Sequence, residues 1–316
     1  MRSVVFMGSP DFAIPALQAL IDSPDYDVKL VVSQTDKPQG RKQILTAPPV
    51  KQLALQYNIP VYQPKTLRTP EALETIGSIE PDFIVVAAYG KILPQAILDV
   101  PKFGCVNLHG SLLPKYRGAA PIQWSVLNGD AETGVTSMLM NAGLDTGDIL
   151  LTAKTPIGEN ETAGELFDRL AAMSPALLLE TLELLANGEL TPIPQNEAEA
   201  TVVGMLDKEM ATLDFNVPAR EVHNKIRGLN PWPVAKTTFE NKTLKLFAGL
   251  LTDRRVPGVP GTLLADRGRL FVSCAGNEGY EITELQLEGA KRMPAADFLR
   301  GHPVNAGTVL GAKEVE

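Results

Sequence analysis

The stretch GCVNLHGSLLP at residues 104–114 decides the fold expected for the front of the chain. Small and apolar residues follow Gly104 and stop at a Gly-Ser pair, which predicts a short buried strand over residues 105–108. Side chains alternate along a strand, so Asn107 and His109 should leave the same face side by side. In open α/β sheets, ligands bind at the carboxyl ends of strands. The stretch therefore predicts a ligand site, although a strand ending in a turn, with His109 hydrogen-bonded at its edge, fits the same residues.

The segments around this stretch alternate between strand and helix patterns. Apolar runs predict strands at residues 3–7, 28–32, 83–87, 134–140 and 149–155. Helices are predicted at residues 12–21, 50–57, 69–79, 121–127 and 162–187. Thr162 with Glu165 three residues later forms a capping box at the start of the last helix. The alternation predicts an α/β, Rossmann-like domain with a mostly parallel sheet. The first turn, Gly8-Ser9-Pro10, lacks the Gly-x-Gly-x-x-Gly fingerprint, so no NAD is expected.

The α/β alternation stops at Gly188, and residues 189–207 have the Pro- and Glu-rich composition of a linker. A short helix is predicted at residues 218–227. The strands that follow are predicted at residues 235–239, 243–248, 261–265, 270–273 and 280–286. Their even spacing, with Gly and Pro turns between them, is typical of a small β-barrel. We therefore predict a first domain over residues 1–188, a linker over 189–207 and a second domain over 208–316.

Composition sets limits on the class of protein. The chain has 316 residues, 44% of them hydrophobic and 21% charged, which is an ordinary globular balance. Its longest apolar run, residues 83–88, is too short to cross a bilayer, and the N-terminus lacks the apolar length of a signal peptide. Cys105 and Cys274 have no metal-ligand spacing and the histidines are scattered, so we expect a cytoplasmic protein with no metal and no membrane contact.

Charge is distributed unevenly along the chain. The net charge is −8, with −10 on residues 1–207 and +2 on residues 208–316. An acidic surface disfavours non-specific binding of nucleic acid by the whole protein. The difference favours a catalytic front domain followed by a domain that meets an anionic partner, and a simple drift in composition between domains would give the same numbers.

A polar stretch over residues 33–48 separates the second strand from the next helix. It contains Pro, Gly and the basic residues Lys37, Arg41 and Lys42, and shows no helix or strand pattern. Long connections without regular structure inside compact domains are usually functional or disordered. The three basic side chains suit contact with a phosphate backbone, while a solvated surface loop is the alternative.

Asn107, His109 and Asp145 carry the expected chemistry. Asp145 lies in a turn between two glycines, so it is either ordinary turn chemistry or an acid that folds back to orient His109. Neither a Gly-x-Ser-x-Gly elbow nor a cysteine in a nucleophile setting is present in the sequence, which disfavours an acyl-enzyme. An amide and a protonated imidazole can donate to a carbonyl oxygen as it gains charge, and a nearby carboxylate favours the imidazolium. The trio therefore predicts direct acyl transfer to an incoming nucleophile.

The pattern Asn107-x-His109-Gly110-Ser111-Leu112-Leu113-Pro114, followed by Arg117-Gly118 and then Asp145, resembles the formyltransferases that use 10-formyltetrahydrofolate. The resemblance covers nearly the whole chain. Within the family it is strongest to the branch whose acceptor is the methionyl initiator tRNA. That branch is indicated by GSPDFA at residues 8–13, by the basic insertion ending at Lys51, and by NPWP at residues 230–233.

The resemblance implies a catalytic trio of Asn107, His109 and Asp145, a role in translation initiation and a monomeric state. It also implies a folate site, formed by Ser111, Leu112, Leu113, Pro114, Tyr89, Ile92, Leu93, Ala142, Gly143 and Leu144. Lys37, Arg41 and Lys42 would contact the tRNA, and the second domain would be an OB-like barrel that also meets tRNA. The family's insertion reads Gly-Arg-Gly-Lys, whereas this chain has Gly40-Arg41-Lys42-Gln43, so the second glycine is missing.

Other activities use the same trio. One alternative is a formyltransferase acting on a UDP-amino-sugar, or on glycinamide ribonucleotide, the latter usually a shorter chain. A second is a formyltetrahydrofolate hydrolase, in which water replaces the amine. A third is a non-catalytic RNA-binding protein, which the intact trio disfavours.

Overall fold

A computed structural model describes residues 1–40 and 43–311 of the chain. In its first half the elements, in chain order, are β1 (Arg2–Gly8), α1 (Ile14–Asp22), β2 (Tyr26–Val32), β3 (Lys37–Gln39), β4 (Ile44–Thr46), α2 (Pro49–Gln56), β5 (Val61–Tyr62), α3 (Pro70–Gly77), β6 (Phe83–Ala87), α4 (Gln95–Leu98), β7 (Cys105–His109), β8 (Arg117–Gly118), α5 (Pro121–Leu127), β9 (Glu132–Leu139) and β10 (Ile149–Pro156). The remaining elements are α6 (Ala163–Asn187), β11 (Val202–Val203), α7 (Ala219–Gly228), β12 (Lys236–Phe239), β13 (Lys242–Arg255), β14 (Leu263–Asp266), β15 (Arg269–Ser273), β16 (Glu278–Leu287), β17 (Met293–Pro294) and α8 (Ala295–Gly301).

These elements form two compact units. The first comprises Met1–Pro121, Glu132–Thr155 and Phe167–Val203. The second comprises Ile122–Ala131 and Pro156–Leu166 together with the chain from Gly204 onward. Two short earlier segments thus belong to the second unit, an arrangement that composition does not reveal. The domain boundaries expected from the sequence stay a prediction.

The first unit is built on a mostly parallel sheet. Among the described residues, the strand order is β10-β9-β7-β6-β1-β2-β5. Strands β5, β2, β1, β6 and β7 run parallel, and β9 pairs antiparallel with β7. Every residue of β6 and β7 is buried, as expected for central strands covered on both faces. The chain leaves β1 toward β2 on one side and returns to β6 on the other, so the order reverses between β1 and β6. This arrangement confirms the predicted Rossmann-like class.

The second unit is built on an antiparallel sheet. Its strand order is β12-β13-β16-β15-β14 within the described residues, and β17 pairs with β16. The buried side chains of Phe239, Leu246, Tyr280 and Phe298 lie in one core together with α7 and α8. The predicted second β-domain is confirmed, with one difference in length. Strand β13 runs 14 residues instead of the expected six, with irregular pairing near Ala248, so a single long strand follows the pattern that predicted a short one.

Two local expectations meet the structure differently. The capping box is confirmed, since the Thr162 amide donates to Glu165 Oε2 at 2.8 Å and the Glu165 amide donates to Thr162 Oγ1 at 3.2 Å. The prediction of an unstructured stretch over residues 33–48 is wrong, because β3 and β4 pair as an antiparallel ladder. Ile44 and Leu45 of that ladder are exposed. Because short strands without a buried face need no alternation of apolar and polar residues, the sequence pattern does not indicate them.

Helix α6 has the length and apolar composition of a membrane-spanning helix. Core helices of water-soluble folds share that composition. In this helix Leu166, Leu170, Leu178 and Leu182 are fully buried within the protein. The last three of these leucines lie four, twelve and sixteen positions after the first, the spacing of one helix face that packs inside the protein.

Candidate active site

The candidate site lies in the first unit, where β6 and β7 end side by side. Val86 pairs with Asn107 and Ala87 with Leu108, so the two strands are neighbours in the sheet. On its other side, β7 pairs with β9, where His109 lies opposite Thr136. Asn107 and His109 are both buried and lie two positions apart at the carboxyl end of the strand. Because parallel strands end at one edge, both side chains belong to the ligand-binding edge of the sheet.

His109 is held through both ring nitrogens. Its Nε2 lies 2.8 Å from the carbonyl oxygen of Tyr116, which can only accept, so Nε2 carries a proton and donates. Its Nδ1 lies 3.7 Å from Oδ2 of Asp145. This distance is within ion-pair range but longer than a hydrogen bond. A second proton, on Nδ1, would therefore face the carboxylate without being fully bound by it.

Asp145 is fixed from its own side of the site. Its Oδ2 accepts the Gly118 amide at 2.8 Å, and its backbone adopts a left-handed conformation with φ of 51°. The loop that carries it is closed by Asn141, whose Oδ1 accepts from the Gly143 amide at 2.9 Å and from the Thr146 hydroxyl at 2.8 Å. The structure thus brings Asp145 within ion-pair distance of His109, 36 positions earlier in the sequence, on the strand that also carries Asn107.

Asn107 has an uncommitted side chain. It is 7% exposed, and its carboxamide makes no hydrogen bond with residues 1–40 or 43–311. Its polar atoms are not among the buried side-chain atoms that lack a partner, so they reach the solvent at the end of the strand. Its N–H group is free to donate to a bound carbonyl oxygen.

The segment Gly110 to Pro114 forms a turn that is fixed from within. The Ser111 hydroxyl donates to the Lys115 carbonyl at 2.7 Å, and the Ser111 carbonyl accepts from the Thr136 hydroxyl at 2.6 Å. The Leu113 amide donates to Thr136 Oγ1 at 3.2 Å, and the Leu113 side chain is buried. Leu112 and Pro114 are half-buried. Ser111 therefore shapes the turn, while Leu112 and Pro114 retain surface for a ligand.

The other predicted folate residues divide by exposure. Tyr89 and Leu93 are buried, whereas Ile92 is 62% and Leu144 is 53% exposed. Ala142 and Gly143 are exposed as well. The Tyr89 carbonyl accepts from Gln34 Nε2 at 2.8 Å, so neither its side chain nor this oxygen is open to a ligand as it stands. Ile92 and Leu144, on two different loops, therefore provide exposed apolar surface in addition to that of Leu112 and Pro114.

Of the predicted tRNA contacts, the structure describes Lys37 alone. Its ammonium donates to Gln34 Oε1 at 2.7 Å, at the start of β3. Arg41 and Lys42 lie outside the described residues. The carboxylate next to Lys37, Asp36, is paired with Lys51 at 2.9 Å.

Sequence reasoning missed the residues that surround Asp145. Gln195, Glu197 and Thr201 lie in the stretch expected to be a linker, yet all three bond to Arg117, its neighbours or the Asp145 loop. Arg117 is buried and forms a two-pronged pair with Glu197, with nitrogen–oxygen distances of 2.9 and 2.7 Å. This pair raises the pKa of Arg117 and lowers the pKa of Glu197. A glutamine and a glutamate in a Pro- and Glu-rich stretch give no local signal of such contacts.

The described residues offer neither a reactive cysteine at this site nor a cluster of metal ligands. Burial raises the pKa of the Cys105 thiol to about 12, so it is protonated at neutral pH and a poor nucleophile. Within residues 1–40 and 43–311, no three His, Cys, Asp or Glu side chains are grouped as a set of metal ligands.

Comparison with known proteins defines the class. Residues 1–182 match the formyl transferase family, and residues 205–303 match the formyl transferase C-terminal domain. The chain therefore belongs to the formyl transferase family.

Its close relatives in that family share one name. The methionyl-tRNA formyltransferase of Pelobacter propionicus is 49% identical over 100% of this chain and 98% of its own length. That of Acetivibrio thermocellus is 46% identical over 98% of this chain and 99% of its own length.

Solved structures share the fold at low identity. The sugar 3N-formyl transferase WlaRD has a TM-score of 0.67 and 18% identity, covering 92% of this chain and 99% of its own. An N-formyltransferase from Helicobacter canadensis has a TM-score of 0.67 and 19% identity, covering 93% of this chain and 100% of its own. At these identities the likeness supports the architecture alone.

Proposed function

We propose that the chain transfers the formyl group of 10-formyltetrahydrofolate to the free amino group of methionyl initiator tRNA, and so acts in translation initiation in the cytoplasm. The observation that supports the chemistry is the 3.7 Å distance between Asp145 Oδ2 and His109 Nδ1, at the end of the strand that also carries Asn107. The choice of acceptor rests on full-length relatives at 43–49% identity that bear the name methionyl-tRNA formyltransferase. The sugar formyltransferases, at 18–19% identity, share the fold only.

The folate cosubstrate supplies the formyl group in a form that an amine can attack. The residues present suit such a ligand, because the first unit offers the uncommitted amide of Asn107 and exposed apolar side chains at Ile92 and Leu144. A flat ring with a polar edge needs both kinds of surface. The turn from Ser111 to Pro114 presents Leu112 and Pro114 beside the trio.

Asn107 and His109 act as donors to the formyl oxygen. When the amine attacks, negative charge develops on that oxygen, and the Asn107 amide and the Nδ1–H of a protonated His109 are the groups able to receive it. Nε2–H is committed to the Tyr116 carbonyl at 2.8 Å, which leaves Nδ1–H as the ring's working donor. Its 3.7 Å distance from Asp145 leaves that proton available to a closer oxygen.

Asp145 pairs with the ring and handles a proton. Its carboxylate lies within ion-pair distance of Nδ1 and is the counter-ion of the ring when both ring nitrogens carry a proton. The same carboxylate can accept a proton from the attacking amine, directly or through water, because its Oδ1 has no hydrogen bond to the described residues. As the oxyanion collapses, the bond between the formyl carbon and N10 of the folate breaks, and N10 takes up that proton to leave as tetrahydrofolate. Lys37, Arg41 and Lys42 complete the proposal as contacts to the tRNA backbone, with the second unit as a further tRNA-binding surface.

A direct assay tests the function. The purified chain should formylate methionyl initiator tRNA with 10-formyltetrahydrofolate and leave a UDP-amino-sugar untouched. His109→Ala should lower kcat on the order of 10²–10³-fold, as the loss of one oxyanion donor typically does. His302→Ala is the matched control, since His302 stacks on Phe298 in the second unit and should leave kcat unchanged.

Three results would contradict the proposal. Preferential formylation of the amino-sugar would reassign the acceptor. Release of formate at the same rate with and without tRNA would indicate a hydrolase. Unchanged turnover in His109→Ala would remove the proposed donor.

A further inference from the structure

We infer that Gln195 is a positioning residue of the reaction and that residues 193–203 form the frame holding the Asp145 carboxylate against His109. The inference rests on the proposed function for its kinetic readout. It concerns a segment that composition alone marks as a linker, and we call residues 193–203 the frame segment. All residues involved belong to the first unit.

Gln195 holds the backbone of the Asp145 loop. Its Nε2 donates to the Asp145 carbonyl at 2.8 Å and to the Gly147 carbonyl at 2.7 Å. Both amide protons are therefore used, one by the carbonyl of Asp145 itself and one by the carbonyl two residues later. A shift of this side chain would move the two carbonyls and, with them, the Cα of Asp145.

Arg117 fixes which way the Gln195 amide points. Its Nε donates to Gln195 Oε1 at 3.0 Å, and a guanidinium has no acceptor, so Oε1 must face Arg117 and Nε2 must face the loop. Arg117 is itself fixed by the two-pronged pair with Glu197. The charge of the guanidinium also acts on Asp145, which contributes to the raised pKa of Arg117.

The frame segment also sets the donor to the carboxylate. Strand β11 pairs with β8, with Val203 opposite Gly118, and the Gly118 amide is the group that donates to Asp145 Oδ2. A Cβ at Gly118 would lie 2.4 Å from the Val203 carbonyl oxygen, and its φ is 100°, so only glycine fits. Thr201 adds a third tie, accepting the Tyr116 amide at 2.8 Å.

The carboxylate is thus held from two directions by one stretch of chain. Gln195 binds the backbone of the Asp145 loop, and β11 pairs with the strand whose Gly118 amide donates to the carboxylate. His109 is tied to the same arrangement because its Nε2 donates to the Tyr116 carbonyl. The 3.7 Å spacing between Asp145 and Nδ1 is therefore a property of the frame segment as much as of the Asp145 turn.

Gln195→Glu is the sharpest test, because it keeps the shape and the acceptor toward Arg117 but replaces two donors with a carboxylate facing two carbonyls. We expect kcat to fall about 10- to 100-fold, since misplacing a catalytic group by roughly 1 Å can cost on the order of 10²-fold. The KM values for folate and tRNA should stay unchanged. Gln286→Glu is the matched control, because Gln286 Nε2 donates to the Ala290 carbonyl at 2.9 Å in the second unit. It should leave kcat unchanged.

A double-mutant cycle separates positioning from general damage. If Gln195 acts through Asp145, Gln195→Glu should have no further effect on kcat in an Asp145→Ala background. The inference would be overturned if the kcat losses of the two single variants multiplied in the double variant. It would also be overturned if kcat of Gln195→Glu fell only in proportion to the fraction of folded protein. If Gln195→Glu does not fold, Gln195→Ala gives the same readings without introducing a charge.

A measurement independent of turnover keeps the two proposals distinguishable. The ring signals of His109 in ¹H–¹⁵N NMR, assigned with His109→Gln, should move in Gln195→Glu and stay in place in Gln286→Glu. Unmoved signals would overturn the inference whatever the acceptor is. A wild-type chain that fails to formylate methionyl-tRNA while its His109 signals respond to Gln195→Glu would overturn the proposed function and leave the positioning role standing.

Discussion

Arg117 in the first unit and Arg227 in the second are both buried, 4% and 6% exposed, but they bond to different kinds of group. Arg117 donates to a carboxylate and to Gln195, and through Gln195 it reaches the Asp145 loop. Arg227 donates to Asn224 and to three backbone carbonyls, those of Gly158, Glu161 and Val126.

The electrostatics of the two sites differ accordingly. Hydrogen bonds to Glu197 raise the pKa of Arg117, whereas burial lowers the pKa of Arg227, which has no carboxylate bonded to it among the described residues. The carbonyls around Arg227 belong to the short segments 122–131 and 156–166 that the second unit takes from the front of the sequence. One arginine therefore serves the geometry of the Asp145 loop, and the other holds separate segments of the second unit together.

Removing Arg227 should have the largest effect on stability. Arg227→Met keeps the apolar stem but leaves carbonyl oxygens and the Asn224 carboxamide without their donor, at about 1–3 kcal/mol for each group that stays buried. We expect the free energy of unfolding of the second unit to fall by about 2–4 kcal/mol. Both tryptophans, Trp124 and Trp232, lie in the second unit, so urea unfolding followed by tryptophan fluorescence reports it directly.

The same change at Arg117 is the matched comparison. In Arg117→Met the freed Glu197 is 72% exposed and returns to water, so the loss of stability should be smaller. Turnover should fall more than in Arg227→Met, measured as kcat per folded molecule. A larger kcat loss in Arg227→Met would break the distinction between the two sites.

The two units should also respond differently to acid. Burial lowers the pKa of His223 from 6.5; the charges of Arg227 and Arg220 lower it further, and the Glu159 carbonyl and carboxylate offset part of this. Between the lowered value and 6.5 the unfolded chain binds more protons than the folded one, so stability is full above pH 6.5 and declines as the pH falls below it. The pKa of Glu197 is lowered from 4.5, so its contribution is full above pH 4.5 and lost only as the pH falls through its folded value.

Tryptophan-monitored unfolding at pH 8 and pH 5.5 checks this difference. His223→Gln should flatten the dependence on pH, because it removes the group that titrates. Tyr280, whose hydroxyl lies 3.3 Å from His223 Nδ1, is protonated throughout this range. An equal pH dependence in the wild type and the variant would assign the effect to another group.

The smallest effects are expected at two buried tyrosines, one in each unit. The Tyr89 hydroxyl finds no hydrogen-bond partner in the part of the chain that the structure describes, whereas the Tyr280 hydroxyl has His223. Tyr89→Phe should leave the free energy of unfolding unchanged or raise it by about 1 kcal/mol, and Tyr280→Phe should lower it by about 1 kcal/mol. Urea unfolding followed by circular dichroism measures both. Weaker folate binding in Tyr89→Phe would instead restore a ligand role for its hydroxyl.

The parts of the fold predicted from sequence are those with strong local patterns. The continuous apolar run of β6 and the alternation in β7 fix a buried strand pair, and the capping box marks the start of α6. Asn107 and His109 were found because two polar side chains stand out in an apolar strand. The placement of Asp145 was a hypothesis from turn chemistry and resemblance, since nothing in its own loop specifies a partner 36 residues away.

The rest could not be predicted because its information is not local. Gln195 and Arg117 are 78 residues apart, and neither has a neighbour pattern that names the other. The β3–β4 ladder has exposed apolar side chains and short strands, so it lacks the alternation that burial imposes. Composition separates packed from unpacked segments, but it does not identify the hydrogen bonds that Gln195, Glu197 and Thr201 make from a linker-like stretch.

The pairing of β11 with β8 has a consequence for how small this enzyme can be made. A fragment excised at residue 188 would retain Asn107, His109 and Asp145 but would lose the strand beside Gly118 and both bonds from Gln195. A minimal version of the first unit therefore has to run on through Val203, past the end of the long helix.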